Sequence, residues 1–334
     1  MDVIGFGAVN LDETYSIRAL SALPKLAIAP GSEQMVDAGR YDKLSRLLER
    51  EGAPRLLSGG GQAANTLYAL SALGGFASGI ISSVGTDREG DYLLADLAPV
   101  DTSQVARGGC TARCIVIVEE GGERAIRVLP AANPPALDPV SAWVALGGAS
   151  YLHLTSLAPP DRLSSQIKLI ESIPDSVRVS LDPGEIYCRL GIEILTPLLK
   201  RSYVVFLGER EIELLTGQRG AAGCERVLSL GPTIVVCKKG AQGAEVFTAG
   251  RDHVAIAAKQ AALVDPTGAG DVFAAGFLAG LLLNLDLERC AALGTEAAAR
   301  SITGYGRSSY PGPELLASLG LAGPQPGRMA GGMR

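Results

Sequence analysis

From about residue 55 onward, short apolar β-branched runs alternate with Ala- and Leu-rich stretches of helical period. That alternation is the pattern of an α/β protein, a doubly wound, mostly parallel sheet with helices on both faces. Strands are expected over residues 2–6, 77–84, 151–154, 177–181, 203–207 and 233–238, and helices over 61–73, 161–173, 191–199, 209–215 and 270–283. Gly74-Gly75 closes the first of these helices and Thr216-Gly217 the fourth, as helix C-termini require. A further helix is expected over 42–49. Two regions break the rhythm. Residues 11–20, and the runs 111–119 and 124–130 joined by Glu120-Gly121-Gly122-Glu123, read as antiparallel hairpin material. Such strands predict a small β lid, drawn from about 11–20 and 109–130, that covers a site or forms a homodimer contact; an ordinary edge extension is the alternative. Residues 1–320 then form one domain, and the Gly-, Pro- and Met-rich residues 321–334 a disordered tail.

Composition narrows the class. The 334 residues are 47% hydrophobic and 19% charged, with a formal net charge of -5, which describes a soluble globular chain with a sizeable core. No block of Lys or Arg supplies the positive face that nucleic acid demands. The opening Met1-Asp2-Val3-Ile4-Gly5-Phe6-Gly7 lacks a basic, long-apolar leader, and no apolar run reaches the roughly 18 residues of a membrane span. A cytoplasmic protein is expected. Six Cys, most among apolar neighbours, read as reduced core thiols, and Cys110 and Cys114 with only two His in the chain do not make a zinc site.

The richest chemistry lies in Val264-Asp265-Pro266-Thr267-Gly268-Ala269-Gly270-Asp271. Proline and two glycines make a turn that feeds a helix with a small face, Ala274, Ala275, Ala279 and Gly280. A helix N-terminus at a Gly-rich loop offers free N–H groups and partial positive charge, so it binds anions, a phosphoryl group above all. Asp271 in the first turn is placed to take a proton from an attacking hydroxyl beside that anion. Local chemistry alone leaves it equally able to serve as a helix cap.

The run D-P-T-G-A-G-D followed by a small-residue helix resembles the C-terminal signature of the ribokinase-like carbohydrate kinases, the PfkB family. The resemblance implies ATP-dependent phosphorylation of a hydroxyl, with Asp271 as base and the amides of Gly268, Ala269, Gly270 and Asp271 as anion hole. It extends along the chain. Ser58-Gly59-Gly60-Gly61 to Asn65 is similar to the family's G-G-x-x-x-N, implying acceptor contacts from Gly60, Gly61 and Asn65, and Asn10 and Asp12 match its early N-x-D. Val84-Gly85-Thr86-Asp87 to Gly90 matches a structural turn. Gly208 to Glu211 resembles N-x-x-E, which implies Mg²⁺ ordered through water by Glu211, with Gly208 where the family has Asn. Lys239, Gly240 and Gly243 fall where the family lies along ATP. Asp265, Thr267, Ser301, Gly304, Gly306 and Ser309 fall where members bind a monovalent cation such as K⁺, although Asp265 could equally fix the loop as a buried acceptor.

Other readings are weaker. Gly5-Phe6-Gly7-Ala8-Val9-Asn10 has Asn where a dinucleotide fingerprint needs its third Gly. The absence of Gly-Lys, H-R-D and D-F-G removes the P-loop and protein-kinase schemes. A non-catalytic sugar- or nucleotide-binding regulator remains the rival from another class. Residues 31–51 and Thr111-Ala112-Arg113-Cys114 resemble adenosine-kinase-like members, and Tyr15, Tyr41 and Tyr68 are the few aromatics toward the acceptor side. Asn10, Asp12, Gln62 and Asn65 favour a sugar or sugar-like acceptor, with a nucleoside as the alternative.

Overall fold

The computed structural model describes residues 1–18, 28–120, 124–132, 148–250 and 252–323. A nine-stranded sheet forms its centre. Its parallel part comprises β1 (Val3–Phe6), β5 (Ser78–Val84), β6 (Val105–Arg107), β9 (Tyr151–Thr155), β10 (Arg178–Asp182), β11 (Ser202–Gly208) and β12 (Ile234–Lys238), and β13 (Ala244–Thr248) and β14 (His253–Ile256) add an antiparallel edge. The order is β14-β13-β12-β11-β10-β9-β1-β5-β6.

Strand alternation divides the core cleanly. On β11 and β12, Val204, Phe206, Ile234 and Val236 face one apolar layer, and Val205, Leu207, Val235 and Cys237 face the other. The first layer is closed by the helices Gln62–Ala72, Ala269–Leu282 and Leu287–Ser301, and the second by Leu163–Ser172, Ile192–Arg201, Glu209–Thr216 and Gly220–Leu228. This is the doubly wound ribokinase-like arrangement expected from the sequence. Helix bounds moved by a few residues: Pro160–Arg162 forms a separate 3₁₀ turn ahead of Leu163, and the helix expected over 42–49 begins at Ala38, where the Asp37 carboxylate caps the Arg40 amide at 2.9 Å.

The lid is a second, five-stranded sheet in the order β3-β8-β7-β2-β4. It contains β2 (Asn10–Ile17), β7 (Ala112–Glu119) and β8 (Arg124–Leu129), together with β3 (Glu33–Met35) and β4 (Arg55–Gly60). Two expectations need correction. β7 and β8 are antiparallel, but β2 runs parallel to β7 and is antiparallel only to β4. Residues 55–60, where the sequence pattern predicts no strand, are a strand, because Gly60 pairs with Asn10 and carries the ladder up to the glycines. Tyr15, Tyr41, Leu48, Ile115 and Ile117 form the lid's own core, so Tyr15 and Tyr41 are used in packing. Residues 19–20 and 121–123 of the expected lid, and 324–334 of the expected tail, lie outside the described residues. Among the described residues all six Cys are free thiols, and no helix is long and apolar enough to cross a membrane.

The helix Ala269–Leu282 is buried from Asp271 through Leu281. Its approach to Leu287–Ser301 runs through Gly276, Gly280 and Gly294: a Cβ at Gly276 would stand 2.8 Å from Gly294 Cα and Leu293 O. Alanine in a helix gains about 1 kcal/mol over glycine, but overpacking of this kind costs about 1–3 kcal/mol, and backbone offers no easy retreat. Gly276→Val is therefore expected to lower Tm by about 2 °C or more. Calorimetry checks this, and an unchanged Tm would refute a close-packed seam.

Candidate active site

Three parallel strands end in Asp182, Gly208 and Lys238. By strand parity they face the layer that holds the helix Ala269–Leu282, and ligands of such sheets collect beyond the carboxyl ends of the strands. Lys238 Nζ donates to Asp182 Oδ2 at 2.6 Å. β11 lies between the two strands, and its last residue, Gly208, brings no side chain to the gap. Burial alone would lower the Lys238 ammonium, but the carboxylates of Asp182 and Glu211 more than offset it and hold the lysine protonated. Its Nζ lies 3.3 Å from where a Cβ of Gly270 would stand, beside the helix N-terminus.

At that terminus Gly268 takes φ +78° and caps the helix. The Thr267 amide is bound by Asp265 Oδ1 at 2.9 Å and the Ala269 amide by the Pro266 carbonyl at 3.2 Å. The amides of Gly268, Gly270 and Asp271 have no acceptor among the described residues. Ala269, expected in the anion hole, thus has its N–H engaged, while the amides of Gly268, Gly270 and Asp271, expected there as well, are free.

The Asp271 carboxyl is buried. Burial, and then the neighbouring Asp182, push it up to about 7, against the pull of Asn65, Lys238 and Arg124. Asn65 Nδ2 donates to Asp271 Oδ2 at 2.9 Å, and Thr66 Oγ1 donates to the Asp271 carbonyl at 3.2 Å. Asn65, expected to touch the acceptor, therefore also touches the residue expected as base.

The cleft above Asp271 is lined by Asn10, Asp12, Gly61, Gln62, Asn65, Glu33 and Cys114, with an apolar wall of Val116, Ile126, Val128, Ala158 and Ile186. Asn10 Nδ2 donates to Asp12 Oδ1. Asp12 is raised to about 7 by burial, with Arg307 opposing and Asp271 adding, and Glu33 to about 8 by burial and by Glu211 and Glu185. From the lid, Arg124 Nη1 reaches the Pro266 carbonyl at 2.7 Å, which brings a second cation to the transfer end. Gly60 lies against the Asp12 carboxylate and Gly61, at φ +101°, against the Ala8 carbonyl, so neither place accepts a Cβ.

The remaining expected residues fall into separate groups. Glu211 lines the cleft and accepts from its own Gly208 amide at 2.6 Å. Lys239 turns away, its Nζ 3.0 Å from Glu245, while Gly240 and Gly243 shape the loop that follows β12. Asp265 is buried and binds the Thr267 amide, the Thr267 hydroxyl is buried without a partner, and the Ser301 carbonyl accepts from Ser309 Oγ at 2.6 Å. The Val264 and Asp265 amides both donate to the Ile302 carbonyl, which brings this loop to residues 301–306. A wide, shallow depression between Lys259 and Tyr310 carries Glu296, Arg300 and Glu314, paired with one another.

Sequence reasoning passed over Lys238, Asp182, Arg124, Glu33 and Arg307. For Lys238 and Asp182 a signal existed, since each is the last residue of a parallel strand, where the fold collects its ligands.

Comparison with known proteins agrees with this geometry. The pfkB family carbohydrate kinase model matches residues 47–313. An uncharacterized sugar kinase of Archaeoglobus fulgidus is 36% identical over 70% of this chain and 94% of its own length. A cytidine kinase of Thermococcus kodakarensis is 29% identical over 75% and 90%, and an ATP-dependent ribose-1-phosphate kinase of Halopiger xanaduensis 32% identical over 83% and 93%. Among solved structures, a probable sugar kinase of Rhizobium etli superposes with TM-score 0.85 at 23% identity, covering 96% of this chain and 99% of that one. Ribokinase of Thermotoga maritima superposes at 0.73 and 21%, covering 95% and 98%. The chain belongs to the pfkB family of carbohydrate kinases, phosphotransferases that act on an alcohol group.

Proposed function

We propose that this kinase transfers the γ-phosphoryl group of ATP to a hydroxyl of a neutral sugar or sugar-like acceptor, with Asp271 as general base. The observation that carries this reading is the placement of Asp271: its carboxylate stands between three free amides of a helix N-terminus and the polar set Asn10, Asp12 and Asn65. A hydroxyl held by that set loses its proton to Asp271 as it attacks in line. The amides of Gly268, Gly270 and Asp271, with the cations of Lys238 and Arg124, hold the charge on the transferring group. Glu211 and Asp182, whose Oδ1 is buried without a partner, fit the waters of a Mg²⁺ ion, which when bound neutralises phosphate charge. Asp265, Thr267 and the loop through Ser301 and Gly306 are where a K⁺ ion would sit, and the unpartnered Thr267 hydroxyl supports that placement.

Charge selects the acceptor. The two cations that line the cleft are engaged by Asp182 and by the Pro266 carbonyl beside the helix N-terminus, and the other charged side chains facing the acceptor, Asp12 and Glu33, are carboxyls, which disfavours a phosphorylated sugar. A nucleoside is the second reading, supported by the apolar wall of Val116, Ile126, Val128 and Ile186. A coupled ADP-release screen of pentoses, hexoses, nucleosides and sugar phosphates decides between them. Preference for a sugar phosphate would overturn the neutral-acceptor reading, and no turnover on any acceptor would favour a non-catalytic regulator.

Asp271→Asn should fold and bind ATP while kcat falls on the order of 10²-fold or more, the scale of lost general-base help. Near-normal turnover would remove Asp271 from that role. The pH dependence has a definite sign. Below its raised pKa of about 7 the Asp271 carboxyl holds its proton and accepts none. kcat/KM, which reports the free enzyme, should therefore fall on the acid side of that pH, in a limb shared with Asp12, which burial and the neighbouring Asp271 raise to about 7 as well. A flat profile from about pH 5.5 to 8 contradicts this.

A further inference from the structure

Arg307 is buried under the glycine run, far in sequence from everything it touches. Its Nη1 is paired with Asp96, its Nε and Nη2 both donate to Asn65 Oδ1 at 3.2 Å, and its guanidinium lies 5.3 Å from the centre of the Tyr68 ring. A guanidinium has only donors, so the Asn65 amide can present only its oxygen to Arg307. The nitrogen must then point the other way, where Asp271 Oδ2 accepts from it. Gly59 completes the arrangement: a side chain there would overlap the Asp96 carboxylate and the Arg307 guanidinium.

We infer that Arg307 is a positioning residue for phosphoryl transfer, which locks the Asn65 amide so that it donates to Asp271 and leaves the other carboxylate oxygen to face the acceptor hydroxyl. This rests on the reading of Asp271 as base. Rotation of an Asp carboxyl about its last torsion is soft, so one pinned oxygen decides where the second points. Arg307 also opposes the upward shift of Asp12, so the part of its effect that runs through the oriented amide is the part that depends on Asn65. The amide donor also favours the ionised carboxylate. The other groups that face Asp271 are Asp182, Lys238, Arg124, Asp12, Glu33 and Tyr310, and all of them stay in place when only Arg307 is changed.

The test is a double-mutant cycle of Arg307→Met and Asn65→Ala, with kcat, the KM for MgATP and the pH profile of kcat/KM measured for each variant. Arg307→Met should lower kcat on the order of tenfold, the scale of one hydrogen bond to a charged group. It should move the acid limb to higher pH and change the KM for MgATP less than about twofold. In the Asn65→Ala background the same substitution should lower kcat almost no further, while the limb shift that Arg307 exerts through its charge on Asp12 persists. Wild-type kcat and limb in Arg307→Met, or full multiplication of the two effects on kcat, would overturn the inference. Should Arg307→Met fail to fold by thermal melting, Asp96→Asn loosens Arg307 from its more exposed partner and should give the same changes to a smaller degree. An unaltered rate and limb in a folded Asp96→Asn would also count against it. If Asp271→Asn retains turnover, the base reading itself falls; if it is inactive while the cycle multiplies, only the role of Arg307 falls.

Discussion

The chemistry of this site depends on how closely one helix is held. Ala269–Leu282 carries almost no polar face, and the glycines at 276, 280 and 294 let it press against its neighbour until backbone meets backbone. Because the helix is buried on every side, its first turn is withdrawn from water too. A helix N-terminus in bulk solvent is screened within a turn, whereas one in a low-dielectric setting keeps its pull on an anion. The same withdrawal raises Asp271 to about 7, which poises a carboxylate for proton transfer near neutral pH. Packing and the proposed base are thus coupled through a single element.

Around that helix the balance of charge is unequal. Asp12, Glu33, Asp182, Glu211 and Asp271 converge on the cleft, against Lys238 and Arg124. Burial raises Asp12, Glu33 and Asp271, and neighbouring carboxylates raise each of them further. Lys238 relieves the crowding from β12 by reaching past the bare end of β11 to Asp182 on β10. Gly208 looks like a lost amide when its segment is considered alone. Within the sheet it is the position that leaves the space between these two strands open, and the cation near the anion hole arrives from the next strand. Arg124 belongs to the lid, so part of the positive charge at the transfer end depends on where the lid sits.

The layered fold was legible in the sequence because apolar alternation reports on it directly: β9 to β12 and the helices Leu163–Ser172, Ile192–Arg201 and Glu209–Thr216 follow from period, while Gly184–Cys188 and the Gly- and Ala-rich Gly220–Leu228 between the same strands do not. The transfer end was legible for a different reason, since Gly268 to Asp271 is one short segment whose turn, amides and carboxylate are adjacent in the chain. What escaped is what period and adjacency do not carry. Lys238 and Lys239 differ by one residue, and only strand parity sends the first into the cleft and the second to Glu245. β3 is three residues long, too short for any pattern, and the parallel pairing of β2 with β7 is a matter of topology rather than of local hairpin chemistry. Arg307 lies 242 residues from Asn65 in the chain, and nothing in its own neighbourhood marks it.

The run Gly59-Gly60-Gly61 shows how an ambiguous motif resolves once its surroundings are known. From sequence, three glycines in a row allow two alignments with a two-glycine motif, and one of them looks redundant. In the fold each leaves room for a different neighbour: Gly61 for the Ala8 carbonyl, Gly60 for the Asp12 carboxylate, Gly59 for the ion pair of Asp96 and Arg307. Gly61 then opens the helix that carries Asn65, whose two amide ends meet Arg307 and Asp271. The Asp12 carboxylate, the Asp271 carboxyl that Asn65 meets and the cation behind them are therefore referenced to the same few backbone atoms. Because β4 pairs with β2 and leads through Gly61 into the helix of Asn65, a shift of β4 would move Asp12 and Asn65 together.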